Sequence, residues 1–172
     1  HMPGGRHLWK GIHDPEMVKS AFTADAKFIS DGQRLVGKLV VTATGVGHRF
    51  PTYVTPEVWL RVGQVDAAGL TIEDTRVDGI IGRRVNLEDR TELFDTRLLP
   101  GESKTLLYDR PLHAECVAVV SSVEVWPDAG YERVYEAKIA DGWGDLTLLA
   151  EALRRAKAAR FVAFEQRVDL PG

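Results

Sequence analysis

The stretch densest in chemistry is Gly45-Val46-Gly47-His48-Arg49-Phe50-Pro51-Thr52. It combines an imidazole able to ligate a metal, a guanidinium of fixed charge, an aromatic ring, two glycines that free the backbone and a proline that stiffens the exit. His7, His13 and His113 also fall in turn-like sequence, where an imidazole can reach an exogenous metal. The spacing of these four histidines matches no closed zinc pattern. On residue types alone the plainer reading is a structural turn, with His48 capping or bridging backbone groups.

Other chemistries lack their residues. One cysteine, Cys116, set in an apolar stretch that reads as strand, excludes an internal disulfide, a thiolate zinc cluster and a Cys-x-x-Cys-His haem attachment. It reads as an inert core residue. There is no Gly-x-Ser-x-Gly elbow, and Gly45-Val46-Gly47 lacks the third glycine of a dinucleotide loop and leads into a strand rather than a helix. Glu88, Asp89 and Glu92 read as a solvated loop, not a catalytic acid pair. No catalytic turnover is expected of this chain, whatever a parent protein does. With a net charge of -3, and with Arg83-Arg84 and Arg154-Arg155 interleaved with acids, nucleic acid is not an expected partner. No apolar run reaches the roughly 20 residues of a membrane helix. His1-Met2 reads as the remnant of a cleaved expression tag.

The elements that must position the loop are mostly strands. Residues 35–44 before it are rich in Val, Leu and Thr, and Val58, Leu60 and Val62 alternate with Trp59 and Arg61 after it. Further strands are expected at 26–30, 70–77, 93–98, 103–108, 116–126 and 131–138, with reversals at Asp31-Gly32, Ala68-Gly69, Pro100-Gly101 and Ala129-Gly130. Strand 116–126, with Val117, Val119, Val123 and Val125 on one face, belongs at a sheet centre, as does 34–44. Asp14-Pro15-Glu16 opens a short helix bearing Met17, Val18, Ala21 and Phe22. Asp145 caps a longer one striped with Leu146, Leu149 and Leu153, and 161–170 returns to the sheet. The fold class expected is mainly β, an antiparallel Ig-like β-sandwich with a short N-terminal helix and a C-terminal helix followed by a last strand. The organisation expected is a tag remnant (1–2), an N-terminal segment with the short helix (3–25) and the sandwich with its C-terminal helix (26–172).

Three stretches carry a resemblance. His7-Leu8-Trp9-Lys10-Gly11-Ile12-His13-Asp14-Pro15-Glu16-Met17, the 45–52 loop, and Asp95-Thr96-Arg97-Leu98-Leu99-Pro100-Gly101-Glu102 together resemble the C-terminal, haem-free β domain of multihaem c-type cytochromes. The resemblance implies a non-catalytic accessory domain in electron transfer, periplasmic or extracellular, packed on a haem-binding portion of the same parent chain and reaching a redox partner protein through it. It implies haem c in that portion and none bound covalently here. It also makes His7, His13 and His48 candidate axial ligands, with Arg49, Phe50 and Thr52 as cofactor contacts. Two other readings stand beside it: an Ig-like module that binds a protein or ligand through Arg49, Phe50, Tyr53 and Trp59, and a small protein with a histidine-metal site.

Overall fold

The computed structural model describes residues 11–86 and 89–170. Asp31 starts the first hairpin: its carboxylate accepts from the amides of Gln33 and Arg34 at 2.9 and 2.8 Å, and Gly32 takes a φ of 85°, which a side chain would resist. The hairpin joins β1 (Thr23–Ser30) to β2 (Arg34–Thr42), and β6 (Ser103–Pro111) pairs with the other side of β2. A second antiparallel sheet has the order β5-β4-β3-β7-β8, built from β3 (Glu57–Val65), β4 (Val77–Val85), β5 (Glu92–Asp95), β7 (Ala118–Trp126) and β8 (Phe161–Asp169). Both strands expected at sheet centres, β2 and β7, are flanked on each side.

Alternation along the strands sends Leu35, Leu39 and Val41 from one sheet, and Val58, Leu60, Val62, Ile81, Val119, Val123 and Val125 from the other, into a shared, fully buried core. Each such side chain contributes about 1.5–3 kcal/mol. The fold is mainly β, with two antiparallel sheets, a short N-terminal helix, two later helices and a final strand. Helix α1 (Pro15–Ala21) begins where Asp14 accepts from the Met17 amide at 2.9 Å, and buries Val18 and Ala21.

Several expected elements differ. Residues 131–138 are not a strand but lie within helix α2 (Ala129–Ala140), which starts at the expected Ala129-Gly130 reversal. Helix α3 (Leu146–Ala158), capped by Asp145 as expected, packs on α2. Residues 70–76 form only a bridge at Thr71 and a 3-10 turn at Glu73–Thr75, because the Thr75 hydroxyl bonds the Ile72 carbonyl and the Gln64 amide and curls the chain. The strand lies just beyond, as β4. Cys116 and Val117 precede β7. Cys116 is half-buried, its thiol donating to the Ala118 carbonyl at 3.3 Å and its pKa pushed up by burial; Val117 is exposed rather than core.

Candidate functional site

The loop between β2 and β3, the loop between β5 and β6, and α1 meet at one end of the two sheets. Gly45 donates to the Ala21 carbonyl at 3.0 Å, and a Cβ there would lie 1.9 Å from the Ser20 carbonyl oxygen, so only glycine lets the loop pass this close to α1. Phe50 and Leu98 exchange backbone hydrogen bonds of 2.8 and 2.9 Å, and the Phe50 ring is buried, tilted against Phe22 at 5.8 Å. The Phe50-Pro51 peptide is cis. Arg97 closes the second loop onto the first, giving one bond to the Thr52 carbonyl at 3.0 Å and two to the Asp95 carboxylate at 2.9 and 2.7 Å. Those bonds from Arg97 are the main cause holding the Asp95 carboxyl down at about 2; Arg49 adds a smaller attraction.

The described parts of the three stretches that carried the resemblance therefore converge here. Between the residues 11–21 segment and the residues 45–56 loop lies a concave, largely apolar pocket of about 600 Å³, within the size range of small-molecule and cofactor sites. Ile12, Met17, Val46, Phe50 and Tyr53 line it, and His48 stands on its wall. The His48 Nδ1 is 3.0 Å from the Arg49 carbonyl oxygen and 3.1 Å from the Thr52 hydroxyl. A carbonyl can only accept, so Nδ1 carries the proton and Nε2 the lone pair. Nε2 has no hydrogen-bond partner among the described residues.

The other candidate residues are placed differently. His13 lies in the segment next to the pocket, yet its Nε2 bonds Asp128, the residue before α2, at 2.9 Å. His7 lies outside the described residues. His113 sits at the far end of the sheets, where its amide donates to the buried Gln64 side chain at 2.7 Å. Arg49 and Tyr53 are exposed at the pocket end, whereas Trp59 is on the outer face of the five-stranded sheet, its ring tilted against Trp126 at 5.0 Å. Arg49, Phe50, Tyr53 and Trp59 thus form no common surface. Among the described residues no three His, Cys, Asp or Glu side chains gather to hold a metal ion, and no helix is long and apolar enough to cross a membrane.

One buried charged centre is not legible from residue types. Glu57, fully buried, receives two bonds from Arg84 at 2.7 and 3.1 Å and one from Arg133 of α2 at 2.7 Å. Arg84 is therefore not solvated surface. Nearby, Arg160 pairs with the buried Glu132 and lies 3.5 Å over the Trp126 ring. These contacts fasten α2 to the sheet.

No protein-family model matches the chain, and no curated protein matches it at a significant level. A solved structure does. A penta-heme cytochrome c552 from Thermochromatium tepidum aligns with a TM-score of 0.67 at 16% identity, over 99% of this chain and 46% of that one. The fold is multihaem cytochrome-like. The chain spans about half the length of that cytochrome, and at this identity the likeness is one of fold.

Proposed function

We propose that this chain is a non-catalytic accessory domain of a multihaem c-type cytochrome in electron transfer, acting outside the cytoplasm, and that its His48 end seats against a haem-bearing portion of the parent protein. The observation that carries the reading is the His48 imidazole. Its Nδ1 is engaged by backbone and hydroxyl, and its Nε2 is left open on the wall of an apolar pocket.

The residues at this end fit a haem edge. Haem iron accepts a histidine nitrogen as axial ligand, supplying reversible one-electron chemistry. A ligating histidine commonly has its other nitrogen held by a carbonyl or carboxylate, which is the arrangement of His48. The exposed Arg49 guanidinium next to it can give paired N–H donors to a propionate. The apolar pocket wall would exclude water from the macrocycle. His13 is less suited, since Asp128 already holds its Nε2; it ties the entering segment to α2 instead. Thr52 acts on His48 rather than on the cofactor, and Phe50 supplies buried wall.

The test uses the product of the whole gene, made with haem attachment. Cys-x-x-Cys-His motifs outside these 172 residues are expected. His48→Ala should change the optical and paramagnetic resonance spectra of one haem, converting a low-spin signal or shifting its potential. A gene without those motifs, or spectra and potentials that His48→Ala leaves unchanged, would remove the proposal.

A further inference from the structure

We infer that the aromatic stripe Tyr131, Tyr135 and Trp143 of the α2–α3 hairpin is a second contact between this domain and the haem-bearing portion of its parent; the inference deepens, and rests on, the reading of the His48 end as the surface facing that portion. The hairpin is set between β7 and β8 at that same end. Trp126 of β7 lies opposite Glu57, which follows the pocket residue Pro56, and Phe161 of β8 lies opposite Val125. Its ties to the rest of the domain are gathered at its base: Gly130 donates to the Thr55 carbonyl at 2.7 Å, Arg133 bonds Glu57 at 2.7 Å, and Glu132 pairs with Arg160, the residue before β8. Farther out the ion pairs are internal, Glu136 with Lys157 at 2.7 Å and Glu151 with Arg154 and Arg155 at 2.7 Å. Residues 140–148 are exposed without a break.

A helical arm that stands in water has no use for aromatic rings, and this one carries a row of them. Tyr131, Tyr135 and Lys138, at i, i+4 and i+7, share one face of α2. The two tyrosine rings stack at 6.2 Å, and the Lys138 ammonium lies 3.3 Å from the centroid of the Trp143 ring. Tyr131 is 50% exposed, Trp143 62% and Leu148, in the first turn of α3, 67%. Large rings with one polar edge are the side chains that anchor protein interfaces. The neighbouring charges are already engaged, Glu136 by Lys157, Lys138 by Trp143 and Asp145 by the α3 amides, so the surface that fits the stripe is apolar protein. The stripe starts next to Thr55, within the loop that forms the pocket, and so continues the His48 surface rather than opening a separate one. The matched cytochrome has more than half of its chain outside the aligned part, and a haem-bearing portion of that size can cover both.

The experiment is hydroxyl-radical oxidation read residue by residue by mass spectrometry, on this chain and on the product of the whole gene made with haem attachment. Trp143 should be oxidised about fivefold more slowly in the longer protein, as befits an interface anchor, and Tyr131 should follow it. Trp126, covered by Arg160 in both, is the internal control. The double variant Trp143→Ser with Leu148→Ser should leave the melting of this chain unmoved, because both side chains are exposed, yet return the amide exchange of residues 140–148 in the longer protein to the rate of the isolated chain. Equal oxidation of Trp143 in the two proteins overturns the inference. So does protection that appears in this chain alone as its concentration is raised, which would make the occupant a second copy. Slowed exchange at residues 44–56 with Trp143 still open would keep the seating of the His48 end and remove the hairpin contact, whereas a protected Trp143 with unchanged haem spectra in His48→Ala would remove ligation and leave the contact standing.

Discussion

Asp95 lies under the pull of two arginines, Arg97 bonded to it and Arg49 nearby, which hold its carboxyl at about 2 against an ordinary 3.8. A carboxylate whose folded pKa is depressed stabilises the fold fully above its unfolded pKa and loses that contribution as pH falls through the folded one. Urea unfolding of the protein and of Asp95→Asn should therefore differ by a constant amount above about pH 5. The gap should close as pH falls from about 4 towards about 2. A gap that is independent of pH would mean Asp95 is not ion-paired in the fold. His48, Arg49 and Thr52 were legible in the sequence because their chemistry and their contacts are local. Arg97 was legible only as part of a resembling stretch: its partner Thr52 is 45 residues away, and strand order, not spacing, joins them. Glu57 was illegible for the same reason, its partners lying 27 and 76 residues on.

The close approach of the loop to α1 depends on Gly45. Gly45→Ala must push the loop or α1 aside, since the new Cβ would sit 1.9 Å from the Ser20 oxygen. The expected cost is about 1–3 kcal/mol, as for other overpacked sites, read as a lower denaturation midpoint at unchanged slope. A variant as stable as the parent would show that the loop does not rest on α1. The strands β1, β2, β6 and β8 were largely legible because an alternation of more and less exposed side chains survives along them, and β3 and β7 because most of their side chains are buried and their runs are apolar. Helix α2 was not. It holds Tyr131, Val134 and Tyr135, which favour strands, and it docks through the Arg133 to Glu57 and Glu132 to Arg160 ion pairs instead of an apolar stripe. Most of β4, which carries Gly79 and Gly82, was not expected as a strand. Gly79 lets Leu106 of the facing sheet approach, a Cβ there lying 3.1 Å from its Cδ1.

At the scale of the molecule, the strand order gathers at one end what the chain keeps apart: the residues 11–21 segment, the His48 loop and the Asp95 to Glu102 loop, with α2 starting beside them through Gly130 bonded to Thr55 at 2.7 Å. Exposed Met17 and Tyr53 of its lining carry the apolar character of the pocket out to the surface. The outer face of the three-stranded sheet also exposes Ile29, Val36 and Leu107, interspersed with Lys27, Lys38 and Asp109. The contact proposed with a haem-bearing portion belongs to the first surface and not the second. Hydrogen exchange compared between this chain and the product of the whole gene separates them. Amides of residues 44–56 should exchange at least tenfold more slowly in the longer protein, about 1.4 kcal/mol of added protection, with β1 and β6 unchanged. Equal exchange at 44–56, or protection confined to the outer three-stranded face, would contradict it.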